Sequence, residues 1–304
     1  MPMINETFFQ QTLIKPNQLD VKDADNQWLA TFTPGSYTVT MRGLQRTFSE
    51  QDPNGQVVSV THTTWVRTLP KPFNGQVDAE WLAKVLAANE QQIPDILAIA
   101  MQYIKGAPAL IDQNGLQIAG DASYGPEIDG KREERSDFND YLGIPWQYEA
   151  EGLNQPDPNR FRCLDCSGFM RMVWGYRHSF SGSGYADTIP LSRQIRSDGS
   201  TIPRRSFQIC EKAPGVMIVP NQRVQITDFS ELRIGDLVFF NADSGDGSAI
   251  DHVGMFMGLD ANRKHRFISS RKRINGPTMS DFGGKSLLEG TGLYAKAFQA
   301  VRRL

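Results

Sequence analysis

The pentapeptide Asp165-Cys166-Ser167-Gly168-Phe169 constrains this chain more than any other stretch. Asp165 is a good helix N-cap, since its carboxylate accepts from the first free amides of a helix. The run Phe169-Met170-Arg171-Met172-Val173-Trp174 is apolar and helix-tolerant, so a helix is predicted to start near Cys166. A cysteine there sees the positive end of the helix dipole, about half an elementary charge. Far downstream, His252-Val253-Gly254-Met255-Phe256 reads as a strand with an imidazole at its first position. A thiol and an imidazole that meet in the fold make a nucleophile and its base. The helix field and a neighbouring imidazolium are expected to lower the Cys166 pKa towards the thiolate. An isolated cysteine is more commonly a small buried core residue. Here the flanking residues and His252 favour the nucleophile.

Further blocks stand in order around this pair. Leu142-Gly143-Ile144-Pro145-Trp146-Gln147-Tyr148 and Ile189-Pro190-Leu191-Ser192-Arg193-Gln194 lie on either side of Cys166. Leu232-Arg233-Ile234-Gly235-Asp236-Leu237-Val238-Phe239-Phe240 precedes His252-Val253-Gly254-Met255-Phe256-Met257-Gly258. Together the five blocks resemble the NlpC-type cysteine peptidases, bacterial enzymes related in fold to papain, over roughly residues 136–271. The resemblance implies an α+β fold: a papain-like domain in which the helix bearing the cysteine packs on an antiparallel sheet. It implies hydrolysis of peptide or amide bonds through a thioester, with Cys166 as nucleophile and His252 as base. Its implied partners are peptidoglycan stem peptides or similar short peptides, cut at the γ-D-glutamyl–diamino acid bond.

Three site assignments follow from aligning the blocks. The family's third catalytic residue is His, Asn or Gln on the next strand, and Ser269 occupies that place in Arg266-Phe267-Ile268-Ser269-Ser270. A serine accepts a hydrogen bond but is short and uncharged, so it would orient His252 without strongly stabilising the imidazolium. Trp146 takes the family's substrate-contacting tyrosine position, and Tyr148 follows; core packing is the competing reading for both. Asp165, Ser167 and Asp251 flank the pair and are counted among the substrate-binding candidates, although Asp165 reads mainly as a cap and Asp251 is more commonly a solvated loop carboxylate. The oxyanion is expected to meet the Cys166 amide at the helix start. His62, His178 and His265 have no matching context and read as surface or structural residues.

Composition narrows the alternatives. Hydrophobic residues at 39% and charged residues at 22% are those of a globular protein, and a net charge of −2 does not suggest a nucleic-acid partner. Three cysteines make no disulfide framework. Cys163-x-x-Cys166 lacks the further ligands of a zinc site, and the carboxylates of Asp243 to Asp251 lack calcium-loop spacing. No metal and no cofactor are therefore expected. No run approaches a membrane span, and the first residues do not read as a signal peptide. That leaves a cytoplasmic protein, or an extracellular or cell-wall one whose leader has been removed.

The chain divides on pattern into residues 1–115 and 116–304. The first is β-rich over 28–69, with a turn at Asp52-Pro53-Asn54-Gly55, then helical from Asp78, broken at Pro94 and resumed from Asp95. It carries no chemical motif. A wall-glycan-binding barrel and a supporting layer beside the cleft are both open readings. The second part carries the peptidase-like blocks. Residues 119–135 read as a loop, 179–184 as a glycine-serine stretch, and 195–225 as a long irregular insertion. Two other functions stay open: an amidase or acyltransferase acting on another amide or thioester, and a catalytically weak binding protein that keeps the cleft.

Overall fold

The computed structural model describes residues 10–15, 18–177, 189–243 and 249–304, the first of these as backbone only. His178, the stretch 179–184 and Asp246 lie outside the described residues.

Five antiparallel strands open the chain in sequential order: β1 (Gln10–Lys15), β2 (Gln18–Lys22), β3 (Trp28–Phe32), β4 (Thr38–Gln51) and β5 (Val57–Thr68). The long β4–β5 hairpin closes at the Asp52-Pro53-Asn54-Gly55 turn. Gly55 adopts φ +80°, and the Asp52 carboxylate accepts from the Asn54 and Gln56 amides. Helix α1 (Ala79–Glu90) starts where Asp78 caps Glu80 and Trp81, and it buries Leu82 and Val85 against β3 and β4. Pro94 separates it from α2 (Ile96–Met101), capped by Asp95. Asp95 does more than cap. It receives Arg46 of β4 through both carboxylate oxygens and the Val66 amide of β5, so it pins α2 to the sheet.

Three short ribbons follow: β6 (Leu110–Ile111) with β7 (Gln117–Ala119), β8 (Glu127–Ile128) with β9 (Lys131–Arg132), and β10 (Trp146–Tyr148) with β11 (Gly152–Asn154). Helix α3 (Phe138–Leu142) precedes β10. Helix α4 (Cys166–Arg171) begins at the cysteine and continues as a π-helical turn over Met172–Tyr176. Helix α5 (Ser206–Lys212) and strand β12 (Val216–Val219) come next. Residues 195–225 are therefore not irregular throughout. Their prolines at 203 and 214 fall just outside the short helix, which is why proline content alone misread it.

The second sheet runs β12, β17, β13, β14, β15, β16, from β13 (Leu237–Phe240), β14 (His252–Leu259), β15 (His265–Arg271), β16 (Gly276–Thr278) and β17 (Phe298–Arg303), with α6 (Leu293–Ala297) before the last. Every pairing in it is antiparallel. The architecture is α+β with mostly antiparallel sheets and few, short helices. Side chains alternate across this sheet. Val253, Met255 and Met257 join the large core with Cys166 and Phe169. Phe256 joins Phe240, Phe267, Tyr294 and Phe298 in a separate cluster on the other face.

Residues on both sides of position 115 share the large core, which includes Phe48, Val60 and Val66. Val60 bridges Asp260, and the Thr38 amide donates to the Leu304 carbonyl at 2.7 Å. Glu50, at the far end of β4, accepts from the Thr278 hydroxyl and the Met279 amide, both at 2.6 Å. The first sheet thus reaches the strand that neighbours Ser269.

Candidate functional site

Cys166 is the first residue of α4, and Asp165 caps that helix by accepting the Gly168 amide at 2.7 Å. Gly168 has no room for a side chain: a Cβ there would lie 2.2 Å from the Ser136 carbonyl oxygen. The glycine lets the segment before α3 run close against the head of α4. Ser270 of β15 adds a second tether, its hydroxyl donating to the Leu164 carbonyl at 2.5 Å.

The sulfur meets β14 at its first residues. Cys166 Sγ donates to the Asp251 carbonyl oxygen at 3.9 Å, and the Val253 amide hydrogen-bonds the thiolate form. The sulfur therefore rests against the main chain on both sides of His252. Among the described residues no hydrogen bond joins the sulfur to the imidazole, and His252 Nε2 is buried with no partner. The His252 ring lies 5.1 Å from the Tyr294 ring and 5.8 Å from the Phe240 ring, centroid to centroid.

Electrostatics here differ from the expectation. Burial, then the Asp165 carboxylate, push the Cys166 thiol up from its ordinary value, while the Val253 amide and Arg204 pull it down. Burial outweighs the helix field because Cys166 is only 6% exposed. Burial, then the Arg271 guanidinium, push His252 down to about 3. At neutral pH the thiol and the imidazole are thus both in their neutral forms.

Ser269 lies on the same face of the sheet as His252. A Cβ on Gly254, two residues along from His252, would come 3.1 Å from Ser269 Cβ. Its hydroxyl oxygen accepts the Nε–H of Arg271 at 3.0 Å. His265, also on β15, is tied to Glu289 at 3.1 Å and stacks on Phe229.

The remaining candidates fall into two groups. Asp165 and Ser167 belong to a network at the head of α4: Ser167 Oγ donates to Asp165 at 3.1 Å and accepts from Arg204 at 2.7 Å, and Arg204 also donates to Asp165 at 2.7 Å. Asp251 accepts the Ala242 and Asp243 amides at 3.0 and 2.7 Å, so its side chain shapes the loop before β14. Trp146 is half-buried, edge-on to Phe138 at 5.1 Å and to Tyr176 at 5.5 Å. Tyr148 is 1% exposed, and its hydroxyl accepts from Arg171 at 2.8 Å.

Three residues near the pair had no signal in the sequence. Arg204 comes from the stretch read as an insertion. Tyr124 comes from the stretch read as a loop; it is buried, and its hydroxyl is pushed up by that burial and by the neighbouring Cys166, Asp165 and Glu134. Tyr294 comes from beyond the last recognised block. Each belongs to a common residue type in an unpatterned segment, so only the fold reveals its place. Among the described residues no three His, Cys, Asp or Glu side chains gather as a metal site.

No protein-family model matches the chain, and no curated protein matches it. Two solved structures show a low-scoring likeness, both from Trichomonas vaginalis. One is the structure of NlpC2, 13% identical, covering 97% of this chain and 84% of that one, with a TM-score of 0.30. The other is the structure of NlpC1, 12% identical, covering 97% and 80%, with a TM-score of 0.31. Likeness at that level decides neither the papain-like core nor the chemistry.

Proposed function

We propose that this protein is a cysteine hydrolase of peptide or amide bonds. Cys166 is its nucleophile and His252 its base. The observation that carries the reading is the seat of the Cys166 sulfur, at a capped helix head and against the main chain on either side of His252. The five ordered sequence blocks add the substrate class: peptidoglycan stem peptides, cut at the γ-D-glutamyl–diamino acid bond.

The chemistry starts from the neutral pair. The imidazole takes the thiol proton as sulfur attacks the carbonyl carbon. The carbonyl oxygen becomes an oxyanion facing the Cys166 amide, which is free at the helix start. Collapse breaks the C–N bond, and the imidazolium returns its proton to the departing amine. Water, deprotonated by His252, then hydrolyses the thioester and restores the thiol. The imidazole must first reach the sulfur, and catalytic hydrogen bonds commonly shorten only when substrate binds.

One observation favours a second reading, a binding protein with little turnover: the thiol is 6% exposed and a buried cation opposes the imidazolium. Incubation with free stem tetrapeptides, read by mass spectrometry, separates the two. Release of the diamino-acid fragment by the wild type, absent in Cys166→Ala, supports the hydrolase. Binding of the tetrapeptide with no cleavage by either sinks it.

A further inference from the structure

Arg271 is a buried cation on β15. It is 1% exposed and makes no ion pair among the described residues. Its Nε–H donates to Ser269 Oγ at 3.0 Å, one Nη to the Gly284 carbonyl at 2.6 Å and the other to the Ser286 hydroxyl at 2.6 Å. All three acceptors are neutral. Its guanidinium carbon stands 4.4 Å from the centre of the Tyr294 ring and 5.0 Å from that of Phe267. A buried charge is costly unless paired, and an aromatic face offsets only part of that cost. Arg271 is two residues from Ser269 on β15, so both side chains share the His252 face.

Tyr294 completes the arrangement from α6. Its ring packs at 5.1 Å on His252 and edge-on at 5.4 Å to both Phe240 and Phe267. Its hydroxyl lies near enough to Cys166 and Asp251 for their charges to push it up, after burial. The charged and titratable groups around His252 are thus Arg271 from β15, Tyr294 from α6, Cys166 from α4 and Asp251 from the preceding loop. Glu50 and Asp281 are the carboxylates whose charges act on Arg271.

We propose that Arg271 and Tyr294 act together as positioning residues for His252: Tyr294 fixes the imidazole plane by ring contact, and Arg271, seated on the Tyr294 ring, holds that ring in place and sets a cation on the His252 face of the sheet. This deepens the hydrolase reading and rests on it for its catalytic meaning. Ser269, at the aligned third position, is committed as acceptor to Arg271, and the ring that packs on His252 is that of Tyr294. Burial first, and the Arg271 cation after it, favour the proton-accepting form of His252 over the imidazolium.

Imidazole NMR of the full chain tests this, with the His252 signals assigned by their loss in His252→Gln. In the wild type the His252 signals should not titrate between about pH 5 and 8, where an ordinary histidine does. In Arg271→Met the titration should rise by about one unit or more, because a like charge nearby has been removed. Arg271→Lys, which keeps the cation, should restore the wild-type behaviour, and Tyr294→Phe, which keeps the ring, should leave it unchanged. Tyr294→Leu should raise the titration as Arg271 loses its platform, and should lower kcat more than it raises KM. A folded Arg271→Met whose His252 titrates as in the wild type overturns the proposal. If that variant does not fold, an unshifted titration in Tyr294→Leu overturns it equally. The titration needs no turnover, so a wild type that cleaves nothing counts against the hydrolase and not against this arrangement.

Discussion

Arg204 donates to Asp165 at 2.7 Å, joining the residues before α5 to the cap of the helix that begins at Cys166. It also donates to Ser167, and its Nε lies 3.4 Å from Asp137, which in turn receives Arg171 from the end of α4. Two arginines and two carboxylates thus hold α4 at both ends. Without Arg204, Asp165 keeps neutral donors such as Gly168 and Ser167 but loses the cation that pairs it. Arg204→Met is expected to cost about 3–5 kcal/mol of stability, and Arg204→Lys less. Urea unfolding of the two variants checks this; equal and small losses would mean that the network is not needed to hold α4.

Cys166→Ala and His252→Ala should each abolish hydrolysis in a folded protein. Because the two act as one unit, the double variant should lose little more than either alone. Cys163, whose sulfur donates to the Phe161 carbonyl at 3.6 Å, should tolerate alanine. A Cys163→Ala protein as inactive as Cys166→Ala, with an unchanged circular dichroism spectrum, would transfer the nucleophile to the wrong cysteine's account.

The buried thiol sets a labelling profile. With its pKa raised, Cys166 has no acid-stable thiolate. Its alkylation by iodoacetamide should climb about tenfold per pH unit through neutrality, following the thiolate fraction. A plateau of fast labelling below neutral pH would instead reveal a preformed thiolate–imidazolium pair.

His252 makes stability depend on acid. Its folded value, about 3, lies below the ordinary unfolded value of about 6.5. Between the two, the unfolded chain binds a proton that the folded chain refuses. The stabilising contribution is whole above about pH 6.5 and is lost progressively as pH falls towards about 3. His252→Gln has no such term. Denaturant unfolding at several pH values should show the wild type losing stability faster than His252→Gln over this window, and parallel losses would refute the shift.

Ser269 should matter modestly. Ser269→Ala removes a hydrogen bond from a charged donor, a loss of about 1.5–3 kcal/mol if the bond is fully formed. Ser269→His, which would bring in a residue type usual in the resembled family, is expected to destabilise instead. Position 269 is fully buried against Gly254, and overpacking of this kind costs about 1–3 kcal/mol. Thermal melts of both variants decide between accommodation and clash.

Local pattern in the sequence made the helix starts legible. Asp78, Asp95 and Asp165 each cap the helix read from them, because capping depends on a side chain and amides only two or three residues away. The hairpin turn at 52–55 and the strand opened by His252 were legible for the same reason, turn chemistry and a short apolar run being local. The short α5, hidden between prolines, was not. Nor was the sign of the Cys166 shift: the sequence shows the helix dipole but not the burial that outweighs it. The serine at position 269 was visible, yet its hydroxyl answers to Arg271, and the imidazole packs on Tyr294, which lies far along the chain. Arg204, Arg271 and Tyr294 acquire their places from antiparallel pairing and from packing across both faces of one sheet. The contacts of Arg204 with Asp165 and of Tyr294 with His252 join residues about forty positions apart, and no local pattern encodes them.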